Sequence, residues 1–207
     1  MKLTQEYLKK CLTYDPDSGI FIWEIRPLCH FNDRERQTKE HICNMWNAIY
    51  AGTKAGYKDT QGYIVIGINS KLYKAHRLAW LYEKGYLPEN KIDHLDRIRD
   101  NNRIINLREV SDTCSMQNTG NFKNNTSGVK GVSIHKKSNK WQVQIGIRGK
   151  NKHLGLFTNF EDAVLARWKE ERDNPKWNCH TDSSAYNYLK ENNLLETKEI
   201  LDTFLKR

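Results

Sequence analysis

Ile92-Asp93-His94-Leu95-Asp96-Arg97-Ile98-Arg99-Asp100-Asn101-Asn102-Arg103-Ile104-Ile105-Asn106-Leu107-Arg108 is the stretch that carries most information about this chain. A carboxylate stands directly before a histidine, and an asparagine follows twelve residues after it. Hydrolysis of a phosphodiester needs a base to deprotonate water and a cation to neutralise charge on the leaving oxygen. His94 suits the first task because an unperturbed imidazole titrates at about 6.5. Asp93 offers a hard oxygen of the kind Mg²⁺ or Mn²⁺ accepts. Asn106 could orient the imidazole by accepting its ring N–H, which fixes the tautomer. Strand neighbours point to opposite faces, so spacing alone does not bring Asp93 and His94 to one site.

Around this stretch the pattern alternates between short strands and short helices. Thr4 to Leu12 predicts a helix with Thr4 as its N-cap, Tyr14–Gly19 a turn, and Ile20–Trp23 a strand. Pro27 to Lys39 is polar and irregular. Gly62–Ile68, Asn69-Ser70 and Lys71–Lys74 predict a hairpin with a two-residue turn. Ala75–Lys84 predicts a helix stopped by Gly85, with Pro88 beyond. Ile92–His94 begins a strand, a polar loop runs from Leu95 to Asn102, and Ser111 or Asp112 caps a helix towards Asn118. Gly120–Gly128 is a linker. Val129–His135, Trp141–Ile147 and Lys152–Phe157 are strand candidates, with turns at Lys136–Asn139 and Gly149–Asn151. In the middle strand Trp141, Val143, Ile145 and Ile147 alternate with Gln142, Gln144, Gly146 and Arg148, one dry face and one wet. Phe160–Glu171 is an amphipathic helix, and Ala185–Asn192 and Lys198–Lys206 are weaker helix patterns.

The balance of 34 Lys and Arg against 25 Asp and Glu gives a net charge of +9 over 207 residues. That charge is concentrated. From Thr113 to Phe160 there is no acidic residue, while Lys123, Lys130, Lys136, Lys137, Lys140, Arg148, Lys150 and Lys152 stand among strand-forming residues. An acid-free basic block on regular structure is what a phosphate backbone attracts. With 38% apolar residues the chain is polar for a single large core, which favours several small modules. No apolar run reaches the roughly 20 residues of a membrane span, so no membrane partner is expected. The start Met-Lys-Leu-Thr-Gln-Glu has no secretory h-region, so a cytoplasmic location is expected. Five scattered cysteines without a CxxC pair suggest no disulfide framework. Cys29-His30 with His41-Ile42-Cys43 is a set zinc would accept, but adjacent ligands cannot easily both reach one ion, and a polar loop is the simpler reading.

Two resemblances sharpen the picture. Ala75-His76-Arg77-Leu78-Ala79-Trp80, Asp93-His94-Leu95-Asp96, Asn101-Asn102-Arg103-Ile104 and Asn106-Leu107-Arg108 resemble the HNH nucleases, in the form found in phage and intron-encoded homing endonucleases. The resemblance spans about 62–118 and implies a β-β-α metal finger. It also implies His94 as general base, Asp93 as a metal ligand and Asn106 as the residue orienting His94. A second ligand comes from the last helix, usually in an Asn-x-x-Asn pair; here the pair reads Ser115-Met116-Gln117-Asn118, with Ser115 in the first place. His76 is read as a structural histidine, and Arg97, Arg99 and Arg103 as phosphate contacts. Residues 124–172, with Asn124-Asn125-Thr126-Ser127-Gly128-Val129-Lys130-Gly131, Lys140-Trp141, Arg148-Gly149, Lys152-His153-Leu154-Gly155 and Glu161-Asp162-Ala163, resemble the APETALA2 DNA-binding domain. That implies a three-stranded sheet laid in the major groove and backed by a helix. Alternate side chains of a strand reach one groove-facing side. The residues expected on that face are Lys130, Ser133, His135, Lys140, Gln142, Gln144, Arg148 and Lys152, while alternation sends Trp141 to the core.

The expected architecture is therefore α+β and multi-module, a central β-β-α finger followed by a three-stranded antiparallel sheet packed on one helix. Residues 1–60 form an N-terminal module, 61–121 the nuclease domain, 122–175 the APETALA2-like domain and 176–207 a helical tail. The expected function is a DNA endonuclease using one divalent ion, Mg²⁺ or Mn²⁺, on double-stranded DNA; the sequence leaves the oligomeric state open, and a monomer is compatible with it. The rival readings are a DNA-binding regulator that keeps the HNH fold with weakened catalysis, motivated by Ser115, and an RNA binder.

Overall fold

A computed structural model describes residues 3–120, 124–147, 149–174, 177 and 182–195. By internal contacts the chain divides into two units, 1–111 and 112–207. In the first, Thr4 accepts a hydrogen bond from the Tyr7 amide and opens helix α1, Gln5–Cys11. The chain passes directly into strand β1, Leu12–Asp15, which pairs antiparallel with β2, Ile20–Trp23. Helix α2, Lys39–Tyr50, follows, capped by Thr38. The expected polar loop around His41 and Cys43 is thus a helix, and Cys43 is buried with its Sγ against the Arg26 carbonyl at 3.5 Å. Strands β3 (Tyr57–Lys58), β4 (Ile64–Ile68) and β5 (Lys71–Lys74) form one antiparallel sheet. Asn69 and Ser70 both have positive φ, 49° and 59°, as the expected two-residue turn requires. Helix α3, Ala75–Lys84, ends on Gly85 in the left-handed region at φ 83°. Strands β6 (Lys91–His94) and β7 (Leu107–Val110) then pair as an antiparallel ribbon around the polar loop.

The N-terminal residues and the finger share one core. Leu8, Leu12, Phe21, Ile66, Ile68, Leu78 and Leu81 are fully or almost fully buried, and the same cluster takes in Ile92 and Leu107. Each such side chain contributes about 1.5–3 kcal/mol of burial. Leu8, Leu12 and Phe21 alone are therefore comparable with the stability of a whole small domain, about 5–15 kcal/mol. Residues 1–60 and the finger are one folding unit as far as Leu107.

The second unit begins with helix α4, Asp112–Gln117. Its sheet has strands β8 (Val132–His135), β9 (Lys140–Ile147) and β10 (Lys150–Phe157) in the order β10-β9-β8, all antiparallel. Helix α5, Phe160–Asp173, is capped by Asn159, and helix α6, Ser184–Glu191, by Ser183. Val129, Val132, Val143, Ala163, Val164 and Trp168 form the core with Ala185, Tyr186 and Leu189 of α6. The described part of the expected linker is an ordered turn instead. Asn125 Oδ1 accepts from the amides of Ser127 and Gly128, and the Ser127 hydroxyl donates to the Val132 carbonyl at 2.7 Å. Strand β8 starts three residues later than expected because Gly131, at φ 79°, turns the chain over Arg167. Arg167 is buried against Glu171, 2.7 Å away, and also donates to the Gln144 carbonyl. Cys114 is disulfide-bonded, a correction to the expectation that the cysteines carry no disulfide framework. The predicted helix Lys198–Lys206 lies outside the described residues. No described helix is long and apolar enough to cross a membrane.

Candidate active site

The β6–β7 ribbon sets the site. Its register places Asp93 opposite Arg108 and His94 opposite Leu107. Alternation along β6 turns Ile92 and His94 inward, while Asp93 stays partly accessible and meets Arg108 Nη2 at 3.2 Å through Oδ2. His94 is buried, and its Nε2 lies 3.2 Å from Asn102 Oδ1. The Asn102 amide donates through Nδ2 to the Asp100 carbonyl at 3.3 Å, so its oxygen is the end presented to the histidine. Nε2 therefore carries the proton and donates, leaving the basic lone pair on Nδ1. Burial pushes the His94 pKa down from its ordinary value. The hydrogen bond to Asn102 and the carboxylates of Asp96, Asp93 and Asp100 oppose that shift without cancelling it. The imidazole is neutral at neutral pH, the form a general base requires.

Asn102 occupies the place that spacing assigned to Asn106. Asn106 instead braces the loop after His94. Its carbonyl accepts from the Leu95 amide, its Oδ1 from the Asp96 amide, and its Nδ2 donates to Asp96 Oδ1 and the Asn101 carbonyl. The signal for Asn102 was present in Asn101-Asn102, but only the folded loop brings it back to the ring. Burial pushes the Asp96 carboxyl up, yet donors from Ile98, Asn101 and Asn106 outweigh it and hold the group below its usual range. Lys58, at 2.6 Å, holds the Asp100 carboxyl down in the same sense.

Two residues of the inner wall carry no signal in spacing. His76, from α3, stands edge-on to His94 with ring centroids 5.0 Å apart, and Tyr63 packs on both rings. Burial, with the His94 ring next, pushes the His76 pKa down to about 3. Arg99 donates to the Gln61 carbonyl at 2.7 Å and lies over the Tyr63 ring, whose face Lys74 also covers at 3.6 Å. Arg97, at φ 65°, and Arg103 are exposed on the loop.

The second unit carries the other candidates. Ser115 lies on α4 and Asn118 just after it, with the Asn118 amide donating to the Cys114 carbonyl at 3.2 Å. On the sheet, register puts Ser133 beside Gln142 and His135 beside Lys140, and these share the face away from α5 with Gln144. Lys152 is a correction. It pairs with Ile145 on the helix-facing side and reaches Glu170 of α5 at 2.9 Å. Asn151, His153 and, past a bulge, Leu156 take the open face instead. Lys130 Nζ donates to Thr119 Oγ1 at 2.7 Å and to the Met116 carbonyl at 3.0 Å. Arg148 lies outside the described residues. Trp141 is on the core side, packed on Phe160.

Asp93 supplies one hard anionic oxygen, and among the described residues no cluster of three or more His, Cys, Asp or Glu groups could hold an ion. That donor set fits Mg²⁺ or Mn²⁺ better than zinc. Mg²⁺ keeps several waters and takes one or two carboxylates plus substrate phosphate, whereas a structural zinc needs four soft or nitrogen ligands.

Residues 73–115 match the family described as HNH endonuclease. The match runs from the end of β5 through α3 and the ribbon into α4, and so takes in His76, Asp93, His94, Asn102 and Asn106. This segment is similar to HNH endonuclease domains, which points to nuclease activity on DNA. No curated protein and no solved structure matches the chain.

Proposed function

We propose that the protein is a divalent-metal-dependent DNA endonuclease of the homing type, phage-encoded and cytoplasmic, with His94 as its general base. The neutral imidazole of His94, held by Asn102 within the HNH-matched segment, carries this reading. His94 Nδ1 takes a proton from a water in line with the scissile bond. The water oxygen forms a bond to phosphorus as the bond to the leaving sugar oxygen breaks, and that oxygen departs with a proton from solvent. Asp93, with Asn118 or Ser115 and substrate phosphate, would hold Mg²⁺ or Mn²⁺, which neutralises charge on the leaving oxygen when bound. Asn106 keeps the loop in shape. Arg97, Arg99 and Arg103 contact phosphates near the cut. The sheet of the second unit acts as an APETALA2-like reader through Ser133, His135, Lys140, Gln142 and Gln144, joined by Lys130 and Arg148.

Supercoiled plasmid incubated with Mg²⁺, Mn²⁺ or EDTA, beside a structured RNA, tests this. The proposal expects nicked or linear DNA with either metal, none with EDTA, and intact RNA. A chain that binds the plasmid but never cuts it supports the alternative motivated by Ser115, a DNA-binding regulator on an HNH fold. Cleavage of the RNA alone contradicts both.

A further inference from the structure

The β1–β2 hairpin, far from His94 in sequence, grips the backbone that carries Asn102. Tyr14 is buried against Phe21 and Tyr82, and its hydroxyl donates to the Asn102 carbonyl at 2.7 Å. Gly19, at φ +72°, approaches so closely that a Cβ there would stand 2.5 Å from both Arg103 N and the Asn102 carbonyl carbon. The Ile104 amide donates to the Pro16 carbonyl at 3.3 Å. Three contacts from one hairpin therefore bracket residues 102–104, whose only inward polar side chain is the amide on His94 Nε2.

We infer that Tyr14 and Gly19 are positioning residues for DNA cleavage, holding Asn102 so that its side chain fixes the orientation and tautomer of His94. The inference rests on the reading of His94 as the base. It goes beyond burial, because the hairpin has a core of apolar residues to anchor it without the phenol hydroxyl or the close approach of Gly19. Burial raises the Tyr14 pKa, so the phenol stays a donor throughout the working range. A reacting group displaced by about 1 Å loses up to a hundredfold in rate, so a device that fixes the ring has a measurable consequence.

The test uses the full chain carrying Tyr14→Phe, Gly19→Ala, Asn102→Ala and the Tyr14→Phe/Asn102→Ala pair. Three quantities are measured: duplex affinity in EDTA, single-turnover cleavage at saturating DNA, and the tautomer of His94 from long-range ¹H–¹⁵N correlations of the free protein. Tyr14→Phe is expected to keep its affinity, lose about tenfold in cleavage, and show His94 as a mixture of Nδ1–H and Nε2–H forms. Wild type is expected to show Nε2–H alone. The double variant should be no slower than Asn102→Ala. Gly19→Ala should move the same readouts through displacement of the loop instead of loss of a hydroxyl. An unchanged tautomer with an unchanged rate overturns the inference, and so do losses that multiply in the double variant. A His94→Ala control that cleaves like wild type sinks the base assignment instead, whereas the tautomer still reports whether Tyr14 positions the ring.

Discussion

The imidazole of His76 stands edge-on to that of His94, with 5.0 Å between ring centroids, and only one of the two is hydrogen-bonded by Asn102. His76 Nδ1 is buried without a hydrogen-bond partner. The two rings sit in a wall that keeps both uncharged, and the chemistry falls to the one whose tautomer is fixed.

Stability should therefore fall on the acid side. The His76 pKa is depressed to about 3 in the folded chain against its ordinary 6.5, so below 6.5 the unfolded chain binds the proton that the folded chain refuses. The contribution is complete above 6.5 and is lost as pH falls towards 3. The limiting slope is about 1.4 kcal/mol per pH unit per group. His76→Phe, which keeps an edge-on ring without a basic nitrogen, should flatten the pH dependence of the unfolding free energy between pH 6.5 and 4. An unchanged slope in urea titrations would show that His76 is not the group responsible.

Cleavage should decline with acidity for a related reason. The rate needs neutral His94, and burial has moved its pKa below the ordinary 6.5. Single-turnover rates at saturating DNA should thus hold through pH 7 and fall only below 6.5. An acid limb centred above 6.5 would contradict the environment described for the ring.

The sheet offers a contrast between neighbours. Lys140→Ala, on the open face, should weaken duplex binding and reduce the slope of log affinity against log salt by about 0.9. Lys152→Ala, turned to Glu170, should leave that slope unchanged and cost only the modest worth of a partly exposed ion pair, about 0–1 kcal/mol of stability. Fluorescence anisotropy over a salt series reads both. A larger salt effect from Lys152 than from Lys140 would reverse the assignment of faces.

The metal requirement should respond to α4. An amide oxygen is a neutral ligand suited to Mg²⁺, and a serine hydroxyl is weaker in that role. Ser115→Asn should lower the Mg²⁺ concentration for half-maximal cleavage, and Asn118→Ala should raise it. If both titrations overlay wild type, neither residue is a ligand.

Much of this was legible in the sequence where the physics is local. The Asn69-Ser70 turn and the Gly85 stop follow from local backbone preference and the Thr4 cap from a side-chain oxygen three residues from its donor, and the structure has them. What escaped depends on distant chain. Asn102 reaches His94 because the loop folds back, and twelve-residue spacing pointed to Asn106 instead. Lys152 was sent to the wrong face because a turn over Gly149–Asn151 would set Arg148 opposite it. Ile147 pairs with Lys150 instead, so Lys152 meets Ile145, three residues from Arg148, and a register change of an odd number of residues exchanges the faces. Helix α2 was hidden because its apolar residues mark no single inner face: Met45, Ile49 and Tyr50 are exposed and only Cys43 is buried. The N-terminal hairpin had no visible role until its contacts with residues 102–104 were seen.

The central claim is that His94 removes the proton from the attacking water. His94→Ala, assayed by single-turnover cleavage of duplex DNA at saturating concentration with Mg²⁺, tests it most directly, with affinity measured in EDTA alongside. A general base contributes about 10²–10⁴-fold, so the rate should drop by a hundredfold or more while affinity stays within about twofold of wild type. A variant that binds and cuts DNA at the wild-type rate would contradict the account.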